Sequence, residues 1–306
     1  MARSAVDQMS KRPNLNDLDL LLGKRTRLHR LLYEFGPGRG TMMLLPIDQG
    51  LEHGPVDFFE NPASLDPNFQ LQLAREGGFS GIVFHIGIAQ KFMREYAGSV
   101  PLVLKINGKT NVPSERAAFS SLDAAVEDAV RLGADAVGYT LYVGSPAQTE
   151  DIAQLNRVRK ECDRFGMPLI VWAYPRGEAI DARGGRDTLY AIDYAARVAQ
   201  ELGADVIKVN LPELDPEKHK QTPKEYAQRT WTEAEAARKV IESAGRAFVL
   251  FSGGTKVGDA ELIAKAELVM RAGATGLIFG RNLWQRPLQQ ALALSAQMRS
   301  ICQSVL

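Results

Sequence analysis

The sequence predicts an α/β protein built as a single (β/α)8 TIM barrel over residues 41–306, with an N-terminal extension, residues 1–40, packed on it. Three observations carry this expectation. From residue 41 onward, short apolar runs alternate with stretches of helical length, the signature of repeated βα units and a parallel sheet. The runs are almost continuously apolar and number eight, which suits strands covered on both faces and closes naturally into a barrel. Three units repeat one helix-to-strand junction: LGADAVGY at 132–139, LGADVIKV at 202–209 and AGATGLIF at 272–279. In each, glycine ends a helix and a small residue turns the chain into the strand. An open doubly wound sheet fits less well, because no GxGxxG follows an early strand.

Taken in order, residues 1–40 are polar and partly basic, with a helical patch near Leu18 to Leu32. The strand runs are 41–46 (TMMLLP), 81–85 (GIVFH), 101–105 (PLVLK), 135–139 (DAVGY), 168–174 (PLIVWAY), 205–210 (DVIKVN), 247–252 (AFVLFS) and 275–280 (TGLIFG). Apolar spacing places helices between and after them at 67–77, 88–96, 121–133, 148–165, 187–202, 223–244, 258–272 and 286–300. Ser121 followed by Asp123, and Asp187 followed by Thr188, resemble helix caps.

Composition narrows the function classes. Of 306 residues, 45% are hydrophobic and 24% charged, the make-up of a chain that buries a full core. Lys and Arg total 37 against 36 Asp and Glu, so no global field exists to hold a nucleic-acid backbone or an anionic membrane, and any anion must be bound locally. The first residues lack the apolar core of a signal peptide, and no stretch of about twenty apolar residues occurs. Neither Cys162 nor Cys302 lies in a CxxC or a Cys/His cluster, so a cytoplasmic setting is expected.

In such barrels the reactive residues stand at the C-terminal ends of the strands. Here those ends carry Asp48, Gln49, Glu52 and His53; His85; Lys105 and Asn107; Tyr139; Trp172, Tyr174 and Arg176; Lys208; Ser252, Gly253 and Gly254; and Gly280 with Arg281. Lys208 stands out because it lies inside an apolar strand. An ammonium taken there must lose its proton or find a partner, and a neutral lysine is a nucleophile toward carbonyls. The bland alternative is an interior lysine paired with a carboxylate for structure. Lys105 reads two ways: as a second cation depressing the pKa of Lys208, or as the partner of an acid such as Asp48. Ser252-Gly253-Gly254 after strand seven and Gly280-Arg281 after strand eight occupy the positions where barrels bind phosphate esters, with backbone N–H groups and an arginine fork as donors. Tight turns also need glycine, but two such loops on adjacent strands favour phosphate. His53 and His85 read as hydrogen-bonded histidines, since no HxH or HxxxH accompanies them. Trp172, with Phe84 near it, fills a barrel layer or walls the pocket. RGGR at 183–186 reads as a solvated loop, or as a cover over the substrate.

Seven segments, LLPIDQGLEHGP (44–55), LVLKINGKT (102–110), VGYTLYVGS (137–145), LIVWAYPRG (169–177), GADVIKV (203–209), LFSGGTK (250–256) and IFGRNLWQR (278–286), fall in order on successive strand ends. Together they resemble the archaeal-type, or DhnA-type, class I fructose-bisphosphate aldolases, from about residue 40 to residue 295. The resemblance implies reversible cleavage of fructose 1,6-bisphosphate to dihydroxyacetone phosphate and glyceraldehyde 3-phosphate, with no metal or other cofactor, in a homo-oligomeric ring. By motif position it implies Lys208 as the Schiff-base lysine, Tyr174 as the proton-transferring tyrosine and Asp48 as the acid on strand one. Ser252, Gly253, Gly254, Gly280 and Arg281 match the phosphate loops, and Trp172 the pocket wall; Lys105 is placed behind the reacting groups by its position on strand three, not by the resemblance. One departure is Asn210, where some relatives carry a second lysine two residues after the first.

Two rivals remain at this point. One is a related Schiff-base lyase or transferase acting on another phosphorylated ketose, similar to aminodideoxyheptulosonate synthase or to the autoinducer-2 phosphate thiolase; a product assay with fructose bisphosphate separates them. The other is a catalytically silent barrel that binds sugar phosphates, against which Lys208, Tyr174 and Asp48 together argue.

Overall fold

The computed structural model describes residues 12–254 and 257–304; residues 1–11 of the extension and the last two residues of the LFSGGTK motif lie outside the described residues. Eight parallel strands, β1 Met42–Pro46, β2 Gly81–His85, β3 Leu102–Lys105, β4 Ala136–Val143, β5 Leu169–Pro175, β6 Val206–Asn210, β7 Phe248–Ser252 and β8 Gly276–Ile278, close into one barrel in which chain neighbours are also spatial neighbours. The longer helices are α1 Leu22–His29, α2 Pro67–Glu76, α3 Ile86–Phe92, α4 Val126–Arg131, α5 Gln148–Phe165, α6 Leu189–Glu201, α7 Glu233–Ser243, α8 Asp259–Arg271 and α9 Leu288–Ser304. At the three repeated junctions Gly133, Gly203 and Gly273 take φ of 66°, 92° and 107°, left-handed values that suit glycine.

Side chains alternate along each strand, so the barrel divides into two apolar layers. Leu45, Phe84, Leu104, Val137, Val171, Ile207, Val249 and Leu277 belong to the outer cluster that meets the helices. Met42, Leu44, Val83, Val103, Ile170, Trp172, Val206, Phe248, Leu250 and Ile278 fill the interior. Residues of the extension complete this inner cluster: Leu15, Leu28, Leu31 and Leu32 are buried with it and form the barrel floor. Ion pairs and a hydrogen bond to the backbone hold them there. Lys24 meets Asp163 at 2.8 Å and Asp205 at 2.9 Å, Arg30 meets Asp135 at 2.6 Å, and Arg12 donates from Nε to the Ala274 carbonyl at 2.7 Å.

Several local expectations need correction. Phe84 faces the helices and Trp172 the barrel interior, so the two do not pack together; adjacent positions along a strand face opposite sides, and the pairing register sets these two apart. Ser121 caps no helix. It pairs with Gly108 in a short antiparallel ribbon, 107–108 with 121–122, and α4 begins at Val126, where the Ala125 N–H donates to Asp128 at 2.8 Å. The helix expected over 223–244 is two helices, Lys224–Ala227 and α7, the latter begun by a Thr232/Glu235 capping box. The fourth strand runs on to Val143 instead of ending at Tyr139.

Candidate active site

The inward parity that builds the apolar interior continues upward into polar residues at the strand ends. Val103 is followed two positions on by Lys105, Trp172 by Tyr174, Val206 by Lys208 and then Asn210, and Leu250 by Ser252. These ends surround a cavity of about 800 Å³, whose lining includes Asp48, Glu52, Trp172, Tyr174, Lys208, Ser252 and Arg281. That volume lies in the range of small-molecule sites.

Lys208 is 6% exposed and lies beside Trp172 in the β5–β6 ladder. Its amino group donates to the Tyr174 hydroxyl and stands 4.2 Å from that ring's centroid. Burial pushes the amine down to about 7; Lys105 and Arg176 act in the same direction, against Asp48 and Glu52. Burial also holds the Tyr174 hydroxyl well above its ordinary value, and the same two carboxylates reinforce the effect. The phenol therefore keeps its proton at neutral pH.

Lys105 is fully buried beneath the cavity. Its Nζ lies 3.2 Å from Glu52 and 3.5 Å from Asp48, and 5.1 Å from the centroid of the Trp172 ring. Burial alone would lower its pKa, but the two carboxylates more than offset this and raise it. Both sequence readings of Lys105 thus describe one arrangement: a stable ammonium, paired with acids, that also repels a proton from Lys208. Room for it comes from Gly138, where a Cβ would sit 2.9 Å from the Trp172 ring and 3.0 Å from Lys105 Cδ.

On β7, the strand next to Lys208, the Ser252 hydroxyl donates to Asn210 Oδ1 at 2.6 Å. Gly253, Gly254, Gly280 and Arg281 line the same side of the cavity. The β8 turn is locked onto β1: a Cβ on Gly280 would meet the Pro46 carbonyl at 2.9 Å, and Trp284 Nε1 donates to that carbonyl at 3.2 Å. Arg281 is partly exposed and makes no ion pair among the described residues, which leaves its guanidinium free for an anion.

Other strand-end candidates serve the frame. Tyr139 points outward, its hydroxyl donating to Asp151 at 2.6 Å, and Asn107 donates to the Thr140 carbonyl at 2.9 Å. His53 pairs with Asp57 at 2.7 Å and His85 with Asp123 at 2.6 Å. Among the described residues no group of three or more His, Cys, Asp or Glu side chains is arranged to hold a metal ion. Sequence reasoning gave no role to Glu52 or Arg176. Glu52 sits four residues after Asp48, across the short helix Gln49–Glu52, and that spacing was the available signal. Arg176 stacks over Tyr174 at 5.2 Å and Tyr142 at 5.7 Å.

Comparison with known proteins agrees with this geometry. The family model described as DeoC/LacD family aldolase matches residues 42–286. The class 1 fructose-bisphosphate aldolase of Thermoproteus tenax is 42% identical over 249 residues, 81% of this chain and 85% of that protein. A solved archaeal fructose-1,6-bisphosphate aldolase, with its catalytic lysine covalently bound to the carbinolamine intermediate of the substrate, superposes with a TM-score of 0.76 at 36% identity, covering 91% of this chain and 98% of that one. A fructose-bisphosphate aldolase from Slackia heliotrinireducens gives a TM-score of 0.82 at 26% identity, over 96% and 92% of the two chains.

Proposed function

The chain belongs to the DeoC/LacD family of aldolases, and from that premise we propose how it works as a class I fructose-bisphosphate aldolase: Lys208 is the Schiff-base amine, Tyr174 and Asp48 move protons, and the β7 and β8 turns hold the phosphate. The observation that carries this reading is a buried lysine lowered to about 7, bonded to a protonated tyrosine, on the strand next to the β7 glycine turn and lining the same cavity as Gly280 and Arg281 two strands round.

The neutral amine of Lys208 attacks C2 of the open-chain ketose, and the carbonyl oxygen takes a proton to become the carbinolamine hydroxyl. Tyr174, next to that nitrogen, donates the proton with which the hydroxyl leaves as water, giving a protonated imine. Asp48 accepts the C4 hydroxyl proton as the C3–C4 electron pair moves toward the iminium. Glyceraldehyde 3-phosphate leaves, and an enamine remains. Protonation at C3 and hydrolysis of the imine then release dihydroxyacetone phosphate and free Lys208. Ser252, Gly253, Gly254, Gly280 and Arg281 hold the C1 phosphate, so binding energy remote from the broken bond orients it; Trp172 walls the pocket and Lys105 holds Asp48 and Glu52 in place. A cytoplasmic setting and a homo-oligomeric ring belong to the same proposal. The first is supported by two free, buried cysteines and the second by the sequence resemblance.

Borohydride reduction in the presence of dihydroxyacetone phosphate tests the central assignment. Irreversible inactivation is expected, with a reduced three-carbon phosphate adduct on the peptide containing Lys208. A label on Lys105 or Lys109, or no label, overturns it.

A further inference from the structure

The cavity has a second cationic side that the chemistry above leaves without a role. Lys109, Arg176 and Arg186 line it, the first from the segment after β3 and the other two from the segment after β5. A single carboxylate holds all three. Glu115 lies 3.5 Å from Lys109, 3.6 Å from Arg176 and 3.1 Å from Arg186, and Arg186 also has Asp187 at 3.6 Å.

We infer that Glu115 is a built-in occupant of a second anion site and that the distal phosphate of a bisphosphorylated ketose displaces it. The inference rests on the aldol reading given above. In the closed ring, β3 and β4 stand opposite β7 and β8. A ketose with its C1 phosphate at the β7 and β8 turns and C2 at Lys208 therefore extends its remaining carbons across the mouth toward the segment that joins β3 to β4. That segment carries Lys109 and Glu115.

The exchange is chemically reasonable in both directions. The Glu115 side chain is 44% exposed, so its ion pairs are individually weak and it can swing into solvent. Burial would raise its carboxyl pKa, yet the three cations hold it below the ordinary value, which marks the pocket as one that favours negative charge. A phosphate ester brings up to two charges and three terminal oxygens to the same three donors, a better match than one carboxylate. A ketose phosphorylated only at C1 leaves Glu115 in place. Glu115 thus sets how strongly the enzyme discriminates between mono- and bisphosphorylated ketoses.

The test compares kcat/KM for fructose 1,6-bisphosphate with that for fructose 1-phosphate. Glu115→Gln and Glu115→Ala should raise the ratio by about three- to tenfold, the scale of several exposed ion pairs released for the substrate. Lys109→Met should lower it, through the KM of the bisphosphate. A ratio unchanged or lowered in both Glu115 variants overturns the inference, since the carboxylate is then either idle or needed to organise the cations. Borohydride trapping of dihydroxyacetone phosphate on Lys208 in the same preparations keeps the two readings apart: trapping with an unaltered ratio sinks only the inference, whereas absence of trapping in the wild-type protein sinks the aldol reading itself.

Discussion

An ammonium drawn into a barrel interior loses hydration and must find a partner or give up its proton, and the two interior lysines resolve this in opposite ways. Lys105 has Glu52 and Asp48 within 3.5 Å and keeps its charge. Lys208 has a phenol, is pushed down to about 7, and shares the site with a cation that opposes its protonation. Because the nucleophile is the unprotonated form, the rate of borohydride-trapped adduct formation should rise with pH through about 7 and level off above it. Tyr174→Phe should keep this inflection while lowering turnover by about 10²–10⁴-fold, the range for losing a positioned acid. Near-normal turnover in that variant would make Tyr174 a packing residue. Lys208 was legible in the sequence because a lysine inside DVIKVN breaks an apolar run. The pairing of Lys105 was not fully legible, because the helix that brings Glu52 to it is too short for an apolar pattern to mark, and the four-residue offset of Glu52 from Asp48 was the one sign of it.

The elements that matter most are the turns beyond β7 and β8, which the inward parity of their strands brings to one side of the cavity. Arg281→Ala should weaken binding of phosphorylated ketoses by about 2–3 kcal/mol, the lower part of the range for truncating a charged partner, because Arg281 keeps partial exposure. Michaelis constants for dihydroxyacetone phosphate in the condensation direction would check this; a wild-type value removes Arg281 from the site. Strand positions and the phosphate turns were readable from apolar runs and glycine spacing. The Ser121 cap and the 223–244 helix were misread for different reasons. At Ser121 a capping pattern, which is a short-range signal, is overridden by the 107–108/121–122 ribbon, whereas the break before Thr232 is marked locally by the Thr232/Glu235 capping box, which apolar periodicity alone passes over.

At the scale of the whole molecule, the described residues leave the barrel open at the C-terminal ends of its strands. Leu15, Leu28, Leu31 and Leu32 fill the opposite end and extend the interior cluster. Leu31→Ala should therefore cost about 2–5 kcal/mol in chemical denaturation, as for other fully buried leucines, while the folded fraction still forms the Lys208 adduct. Loss of trapping at full folding would mean the floor also positions the amine. The sequence placed a helix near these residues but gave no sign that its leucines join the interior, since that contact spans most of the chain. The same span orders events in time. Arg12 cannot reach its Ala274 partner, and the floor leucines cannot complete the cluster they share with Phe248, Leu250 and Ile278, until those residues have been made. At usual rates of synthesis, the first apolar segment to leave the ribosome waits roughly tens of seconds for the last strand. Through that interval the cluster around Leu28, Leu31 and Leu32 stays incomplete, and its apolar side chains are exposed.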